Sequence, residues 1–467
     1  MKKCLSSRPV LLSLFLVVSA SLSQALADVT LPKVIGKRMV LQRDRPLPIW
    51  GWADPGEDVT VKLDIATATT KSDAQGNWKV VLPAVKADGK AHTMTIKGKN
   101  EIKLEDILIG EVWVCSGQSN MEKPIGPHPG QQPCLDWQKE IAAADYPQIR
   151  LLEVPPAHAA KPASDADCKW LPCSPANIVI KRGGGHGYSA CAYYFGRELQ
   201  KALKVPIGLM AASVGGTRCE PWTPSQISGQ PGGDLYNGMI APLTPMAIRG
   251  VIWYQGESNV GDGLAYADKM KALIGGWRRA WGYDFPFYFV QIAPFAGYGP
   301  GALPPIWEAQ MASLQIPKTG MSVTTDLVQN IGDIHPNNKI DVGNRLALWA
   351  LAKEYGKKNL VYSGPLFKSM KVDGNKIRLT FAHVGGGLKS RDGKPLSEFE
   401  IAGTDGKFVA AEATIDNDTI IVQAKAVAAP TQVRFGWRNT ANPNLVNKEG
   451  LPGSPFQTNN WQGGTGE

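Results

Sequence analysis

The sequence has little of what marks a membrane or nucleic-acid-binding protein. Only 19% of the 467 residues are charged, and the net charge of +9 is spread without a Lys/Arg cluster. This argues against binding to nucleic acid or to a membrane surface. No apolar run comes near the roughly eighteen residues that a membrane-spanning helix needs. We therefore expect no nucleic-acid partner and no membrane span.

Histidine and cysteine are scarce. The chain has 6 histidines and 7 cysteines, and irregular cysteine spacings without paired histidines argue against a zinc site. We expect neither a metal nor a cofactor. Cys134, Cys168 and Cys173 lie in proline-rich, loop-like sequence and are the better candidates for disulfides, with connectivity open. Cys115 and Cys191 are expected to be buried free thiols.

The first 27 residues have the pattern of an export signal. A basic start is followed by a short apolar run, Val10–Val18, and by the small-x-small motif Ala25-Leu26-Ala27. This pattern predicts cleavage before Asp28 and a secreted or periplasmic protein. Without the leader the net charge falls to about +6.

The rest of the chain predicts three parts. Residues 28–105 and 358–467 contain short alternating runs separated by turn signals, which are typical of β-sandwich modules. In residues 106–357 buried strands alternate with helical periods, which predicts a three-layer α/β domain with a mainly parallel sheet. The candidate strands are Ile107–Cys115, Ile149–Val154, Ile207–Ser213, Gly250–Tyr254, Phe287–Ile292 and Met321–Thr325, and the clearest helices are Ser189–Leu203 and Lys339–Tyr355.

Four unusual segments fall at predicted strand ends, where parallel α/β sheets bind ligands. Ser119 follows the first strand in Gly117-Gln118-Ser119-Asn120-Met121. A tight turn between strand and helix at this position would expose the serine side chain in a cleft. Gly215-Gly216-Thr217 follows the third strand. Trp253–Asn259 ends another strand with several polar groups. Asp333-Ile334-His335-Pro336 precedes the last helix.

Together these segments predict nucleophilic catalysis. His335 is within reach of an acid two residues away, and Asp333 can accept its Nδ1 proton and leave Nε2 to face a hydroxyl. With Ser119 at the exit of the first strand, the three residues form a candidate Ser–His–Asp set. Activity is expected to rise as His335 loses its proton, at about pH 6 to 7.

These four blocks resemble the sialate O-acetylesterase family of the SGNH hydrolases, in order and across essentially the whole mature chain. The resemblance implies a flavodoxin-like SGNH hydrolase domain flanked by β modules, metal-independent ester hydrolysis and acetylated sugars as substrates. It assigns Ser119 as nucleophile, His335 as base and Asp333 as the residue that orients it.

The resemblance also implies an oxyanion hole. Its donors would be the backbone N–H groups of Ser119 and of Gly215 or Gly216, together with a side-chain amide from Gln255 or Asn259. The wider SGNH pattern has Gly-x-Asn-Asp where this chain has Gly256-Glu257-Ser258-Asn259, so the asparagine is out of step. Gln255 is favoured for that reason.

Alternatives stay open at this point. The substrate could be sialic acid 9-O-acetyl esters or acetylated xylan or pectin, and the oligomeric state is unknown. A non-catalytic carbohydrate-binding protein built on the β modules is one rival. A glycosidase using Glu111 and Glu257 as paired carboxylates is another. An α/β-hydrolase lipase is less apt, because Met121 stands where the second glycine of Gly-x-Ser-x-Gly belongs.

Overall fold

The computed structural model describes Met1, residues 28–180, 187–225 and 233–459, Trp461 and residues 463–466. Apart from Met1, the expected leader lies outside the described residues. Within those ranges, none of the helices combines the length and the apolar character needed to cross a membrane.

The N-terminal module is built from short strands whose buried and exposed residues alternate. Strand β2 pairs antiparallel with β5, β3 pairs with β4 and β6, and β6 pairs with the first half of β7. These strands are β1 Val40–Gln42, β2 Leu47–Trp52, β3 Asp58–Leu63, β4 Ala66–Lys71, β5 Asn77–Leu82, β6 His92–Lys97 and β7 Glu101–Gly117.

The second half of β7 is a central strand of the α/β sheet. The further strands there are β8 Tyr146–Glu153, β9 Trp170–Cys173, β10 Ile207–Ser213, β11 Gly250–Tyr254, β12 Phe287–Val290 and β13 Thr319–Ser322. They lie in the order β13-β12-β11-β7-β10-β8-β9, parallel except for β8 with β9. Numbered along the chain, the six parallel strands β7, β8, β10, β11, β12 and β13 have the order 2-3-1-4-5-6. Without the β8–β9 pair at the edge, the remaining five have the doubly wound order 2-1-3-4-5. The strand order reverses between β7 and β11, which is the topological switch point of the sheet.

Helices connect these strands. They are α1 Ser119–Glu122, α2 Trp137–Ala142, α3 Pro175–Ile178, α4 Ala190–Leu203, α5 Tyr266–Trp281, α6 Leu303–Ala312 and α7 Lys339–Lys353. Shorter 3₁₀ segments span Glu220–Trp222, Ala241–Leu243, Glu257–Ala265 and Ser313–Gln315, and Tyr236–Ile240 is a π-helix. Helix α4 packs on β8 and β10, α7 packs on β12 and β13, and the two helices contact each other.

The C-terminal module has a hydrophobic core of its own, which includes Phe367, Phe399, Phe435 and Phe456. Its sheets have the orders β14-β15-β20-β19, β18-β17-β21-β23 and β16-β22. The strands are β14 Leu366–Asp373, β15 Lys376–Ala382, β16 Leu388–Ser390, β17 Phe399–Ala402, β18 Val409–Ala410, β19 Glu412–Asp416, β20 Thr419–Gln423, β21 Gln432–Phe435, β22 Leu445–Asn447 and β23 Phe456–Gln457.

Strand β7 links the N-terminal module to the α/β sheet without a break. Its residues 101–107 pair with β6, and residues 111–117 pair with β10. The expected boundary at 105/106 therefore falls inside one strand, and the buried residues on both sides join a single hydrophobic core. The division of the chain into domains stays a prediction.

The disulfide expectation is wrong for the mature chain. All six cysteines from Cys115 to Cys219 are buried free thiols. The Cys134 thiol lies 3.4 Å from the carbonyl oxygen of Pro124, and that of Cys173 lies 3.5 Å from the carbonyl oxygen of Ala144. Cys134 lies in a loop that folds inward, whereas Cys173 ends β9, and burial raises the pKa of Cys173 to about 12. Such thiols are unreactive because little thiolate forms.

Candidate active site

Ser119 lies directly after a sharp turn at the end of β7. Strand β7 ends at Gly117 and α1 begins at Ser119. Gly117 has φ 145°, and a Cβ there would lie 2.1 Å from the backbone oxygen of Tyr254. Only glycine fits this position. The N–H of Gln118 donates to the same oxygen at 3.0 Å, so the turn is fastened to β11 at the switch point of the sheet.

His335 lies far from Ser119 in the sequence but contacts its side chain in the fold. Its Nε2 lies 2.9 Å from the Ser119 Oγ, a normal hydrogen-bond distance. Asp333 lies behind the ring, but its Oδ1 is 3.5 Å from the His335 Nδ1. The same oxygen accepts the backbone N–H of His335 at 2.8 Å. The serine, imidazole and carboxylate predicted from the sequence are therefore brought together, with the carboxylate bound more closely to the backbone than to the ring.

The imidazole is held in its neutral form. Burial and, to a smaller extent, the nearby Lys339 ammonium lower the pKa of His335 to about 4, while Asp333 acts in the opposite direction. Burial disfavours the charged imidazolium, and a like charge adds to this effect. At neutral pH the ring is therefore a free base facing a hydroxyl. Because its pKa lies below the reference value, we expect activity to rise at a lower pH than the range of about 6 to 7 that the reference value gives.

The glycine turn after β10 lies against the nucleophile. A Cβ on Gly215 would lie 3.4 Å from the Ser119 Cβ, whereas one on Gly216 would meet nothing within 4 Å. The N–H of Val214 donates to the carbonyl of Gly117 at 3.2 Å and joins this turn to the end of β7. Among the described residues, neither Ser119 nor Gly215 donates its backbone N–H to a backbone carbonyl. Both donors therefore lie beside the nucleophile without a backbone partner.

The side-chain amide expected in the oxyanion hole is engaged elsewhere. The Gln255 Nε2 lies 3.0 Å from the Gln118 Oε1, 3.2 Å from the Thr217 carbonyl oxygen and 2.7 Å from the Asn259 Oδ1. Its Oε1 accepts from the Tyr266 hydroxyl at 2.8 Å.

The Asn259 side chain also forms hydrogen bonds within the protein. Its Nδ2 donates to Glu220 and Asp262, and its Oδ1 accepts the backbone N–H of Cys219. Both amides hold loops of the site together, and the expectation that Gln255 or Asn259 donates to the oxyanion stays a prediction.

A buried polar cluster of Lys339, Asn120 and Glu257 lies next to Ser119, and only Glu257 was assigned a role from the sequence, in the paired-carboxylate alternative. The Lys339 ammonium donates to the Asn120 Oδ1 at 2.6 Å, and the Asn120 Nδ2 donates to the Glu257 Oε1 at 2.5 Å and to the Ile334 carbonyl at 3.0 Å. The cluster thus ties the nucleophile helix to the His335 loop. Asn120 and Glu257 stood in the blocks noted above, but Lys339 looked only like the start of a helix.

Burial perturbs both ionisable members of this cluster. It lowers the pKa of Lys339 to about 8 and raises that of Glu257 above its usual range. The ammonium also lies 4.9 Å from the centre of the Tyr254 ring. The Lys339 ammonium is close enough to the His335 imidazole to lower its pKa.

The paired-carboxylate alternative does not fit the geometry. Glu111 pairs with the first residue of β10, six positions before the end of β7, and it forms ion pairs with Arg43 and Arg249. Glu257 follows the last residue of β11, at the other end of the sheet. Six residues of strand span roughly 20 Å, more than the separation of about 10 Å or less found between glycosidase carboxylates.

Within the described ranges, no group of three or more His, Cys, Asp or Glu side chains is placed to hold a metal ion. The expected absence of a metal and of a cofactor stays a prediction.

The class of protein follows from the site together with the comparisons. A serine hydroxyl next to a neutral imidazole, at the carboxyl edge of a parallel sheet, is an arrangement suited to acyl transfer. Residues 109–352 match the family model described as carbohydrate esterase, sialic acid-specific acetylesterase. The chain is a carboxylic ester hydrolase, and it belongs to this family of carbohydrate esterases.

Known relatives share most of the chain. Sialate O-acetylesterase of Homo sapiens is 33% identical over 406 residues, covering 74% of this chain and 75% of the relative. The protein of the same name from Rattus norvegicus is 30% identical over 454 residues, covering 79% and 81%. The crystal structure of a carbohydrate acetylesterase from Xanthomonas citri is 40% identical, with a TM-score of 0.86, and covers 93% of this chain and 100% of that one.

Proposed function

We propose that the chain is an exported carbohydrate O-acetylesterase that uses Ser119, His335 and Asp333 to hydrolyse acetyl esters on sugars. The observation that carries this proposal is the 2.9 Å contact between the His335 Nε2 and the Ser119 Oγ. It joins residues 216 positions apart in the sequence. Membership of the carbohydrate esterase family independently supports ester hydrolysis as the reaction.

The reaction has two halves. Ser119 Oγ attacks the acetyl carbonyl while its proton passes to the His335 Nε2, and the C–O bond to the sugar breaks as that proton goes to the departing sugar oxygen. Water then gives a proton to the His335 Nε2 and attacks the acetyl-serine carbonyl. The bond between that carbon and the Ser119 Oγ breaks as His335 returns the proton to the Oγ, which releases acetate and restores Ser119. Asp333 stabilises the transient imidazolium.

The negative oxygen of each tetrahedral intermediate needs hydrogen-bond donors. The backbone N–H groups of Ser119 and Gly215 are the assigned donors, because they lie at the nucleophile and make no backbone hydrogen bond among the described residues. Donors of this kind typically contribute on the order of 100- to 1000-fold to turnover. The strand order 2-1-3-4-5 supports a flavodoxin-like SGNH domain as the scaffold.

The substrate is assigned from the relatives. Proteins named sialate O-acetylesterase are 30–33% identical to this chain, which favours O-acetylated sialic acid, the 9-O-acetyl ester first. The Xanthomonas citri neighbour is titled only a carbohydrate acetylesterase, so acetylated plant polysaccharide is the second candidate. Acetate release from O-acetylated sialic acid, acetylated xylan and acetylated pectin, measured side by side, decides between them.

The export proposal rests on the basic and apolar pattern before Asp28. It is tested by expressing the full chain and sequencing the N-terminus of the mature protein, which is expected to begin at Asp28. A cytoplasmic product that retains Met1 would contradict it.

The nucleophile is tested with Ser119→Ala and a matched control, Ser116→Ala. Ser116 lies on β7 three residues earlier, and its buried Oγ has no hydrogen-bond partner among the described residues. We expect Ser119→Ala to lower kcat for p-nitrophenyl acetate by at least about a thousandfold, and Ser116→Ala to leave it unchanged. Chelator is expected to have no effect on the unaltered enzyme. Undiminished turnover in Ser119→Ala refutes the proposal.

A further inference from the structure

The outer face of the β2–β5 pair presents two tryptophans in a row. Trp50 and Trp52 are partly exposed, and the residues between and before them on β2 are buried. Across the pair, Trp50 stands opposite Lys79 and Trp52 opposite Asn77. An aromatic face is thus flanked by polar side chains, on a module that holds no residue of the acyl-transfer site.

Two cavities run along this face, between the N-terminal module and the α/β domain. One, of about 450 Å³, is lined by Trp50, Trp52, Trp78 and Lys79, and faces a wall that includes Pro245. The other, of about 400 Å³, adjoins it, because Lys79 and Pro245 line both. We call the two together the β2–β5 groove. Since β2 has six residues, the groove is roughly 20 Å long, enough for several sugar rings in a chain.

Polar groups in the β2–β5 groove lack partners. The Arg45 Nε and the Trp78 Nε1 are buried and make no hydrogen bond within the described part of the chain. Arg45 does stack on Tyr283, with its guanidinium carbon 4.3 Å from the ring centre. Both atoms lie beneath the surface of the groove, so the donors that a ligand can meet are the exposed Lys79 ammonium and the accessible part of the Arg45 guanidinium.

The charge of the β2–β5 groove favours an anion. Lys79 and Arg45 form no ion pair among the described residues, whereas Lys71 at the edge is paired with Asp58 at 2.8 Å. The one carboxylate that lines these two cavities, Asp73, accepts backbone and side-chain N–H groups around Asn77, which lower its pKa and keep it ionised. With Lys71 offset by Asp58, the positive charges of Arg45 and Lys79 exceed the single negative charge of Asp73, so the net charge of the groove is positive.

The β2–β5 groove lies away from Ser119. Its Pro245 wall belongs to the segment that enters β11 at Gly250, the first residue of that strand, and Gly250 pairs with Trp113 of β7. Ser119 follows the last residue of β7. The groove is therefore on the side of the amino ends of the parallel strands, opposite the esterase site.

We propose that the β2–β5 groove is a second carbohydrate site that binds a glycan chain bearing carboxylates, such as a uronic acid polymer. Trp50 and Trp52 offer flat apolar faces to sugar rings, and amphipathic tryptophans suit ligands with both apolar and hydroxyl-bearing faces. Arg45 and Lys79 bind the carboxylates. The choice of a carbohydrate as ligand rests on the proposed function, while the charge and shape of the groove do not. The groove anchors a polymeric substrate whose ester groups react at the opposite edge.

The test measures binding in a Ser119→Ala background, so that no turnover occurs. Isothermal titration calorimetry uses hexagalacturonate as the acidic probe and cellohexaose as the neutral one. We expect hexagalacturonate to bind the more tightly, and Lys79→Gln and Trp52→Ala each to weaken that binding by about tenfold. Added salt is expected to weaken it further, as it does for exposed charges.

A matched control is Lys62→Gln, an exposed lysine of β3 outside the groove, which is expected to change nothing. Trp52→Tyr retains an aromatic face and is expected to keep most of the affinity, which separates loss of stacking from loss of fold. The proposal is overturned if hexagalacturonate does not bind, if cellohexaose binds equally well, or if Lys79→Gln and Trp52→Ala leave binding unchanged. Failure of the esterase proposal would appear separately, as no acetate release from p-nitrophenyl acetate by the unaltered chain.

Discussion

The acid limb of the pH profile is set by the environment of His335. Only the neutral imidazole can accept the Ser119 proton, so kcat/KM follows the fraction of His335 that is unprotonated in the free enzyme. Burial and the Lys339 ammonium bring its pKa to about 4, below the reference value of 6.5. The enzyme is therefore expected to stay active well into the acid range.

The magnitude can be worked out at pH 5. With a pKa of about 4, about nine-tenths of His335 is neutral and kcat/KM is about nine-tenths of its plateau. With the reference histidine pKa of about 6.5 the corresponding fraction would be about three hundredths. The two cases differ by about thirtyfold in rate, a difference of about 2 kcal/mol.

The assay is acetate release from p-nitrophenyl acetate across the acid range, quantified as acetate, with circular dichroism to confirm that the chain stays folded. An acid limb of kcat/KM centred near pH 6.5 would refute the argument that burial and Lys339 lower the pKa of His335. Lys339→Met removes the neighbouring positive charge, and the limb is expected to move to higher pH. Lys353→Met, at the other end of α7 and about 20 Å away, is the control that should leave the limb in place.

Other predictions concern the groups around the nucleophile. Gly215→Ala adds a Cβ 2.8 Å from the Glu122 Oε2 and 3.4 Å from the Ser119 Cβ, so the Glu122 side chain or the turn must shift, and we expect kcat to fall by roughly tenfold or more. Gly216→Ala, at φ 73° in open space, is expected to cost about 1 kcal/mol of stability with a smaller effect on kcat, as measured by thermal unfolding and kinetics. A larger loss of kcat in Gly216→Ala than in Gly215→Ala would contradict the placement of Gly215 at the oxyanion. Asp333→Asn is expected to lower kcat less than His335→Ala does, because the carboxylate lies 3.5 Å from the ring; equal losses would show that Asp333 moves closer during the reaction.

Much of the fold could be predicted because buried parallel strands leave a strong pattern in the sequence. Strands β10 and β11 begin and end at the predicted residues, since both are apolar runs bounded by turns. The predicted Ile107–Cys115 is only part of β7, which extends to Glu101 and Gly117. Its first half alternates while its second half is buried throughout, so one strand looked like two different segments.

The site was predictable to the extent that its chemistry lies in rare local motifs. Ser119, Asp333 and His335 stand at strand exits, and the fold brings them together as expected. The hydrogen-bond partners of the Gln255 amide could not be predicted, because a motif shows which groups are present but not which acceptors they meet. Lys339 was missed because a lysine at the start of a helix is ordinarily exposed, whereas here it is fully buried.

The sequence alone determined the periodicities, the strand ends and the candidate nucleophile, because these depend on neighbours along the chain. The tertiary structure alone decided three properties. These are the pKa of His335, the absence of disulfides between the described cysteines, and the hydrogen-bond partners of Gln255 and Asn259. Each of these depends on burial and on partners far away in sequence, which local pattern does not encode. The β2–β5 groove belongs to the same group, since it exists only where two parts of the chain pack against each other.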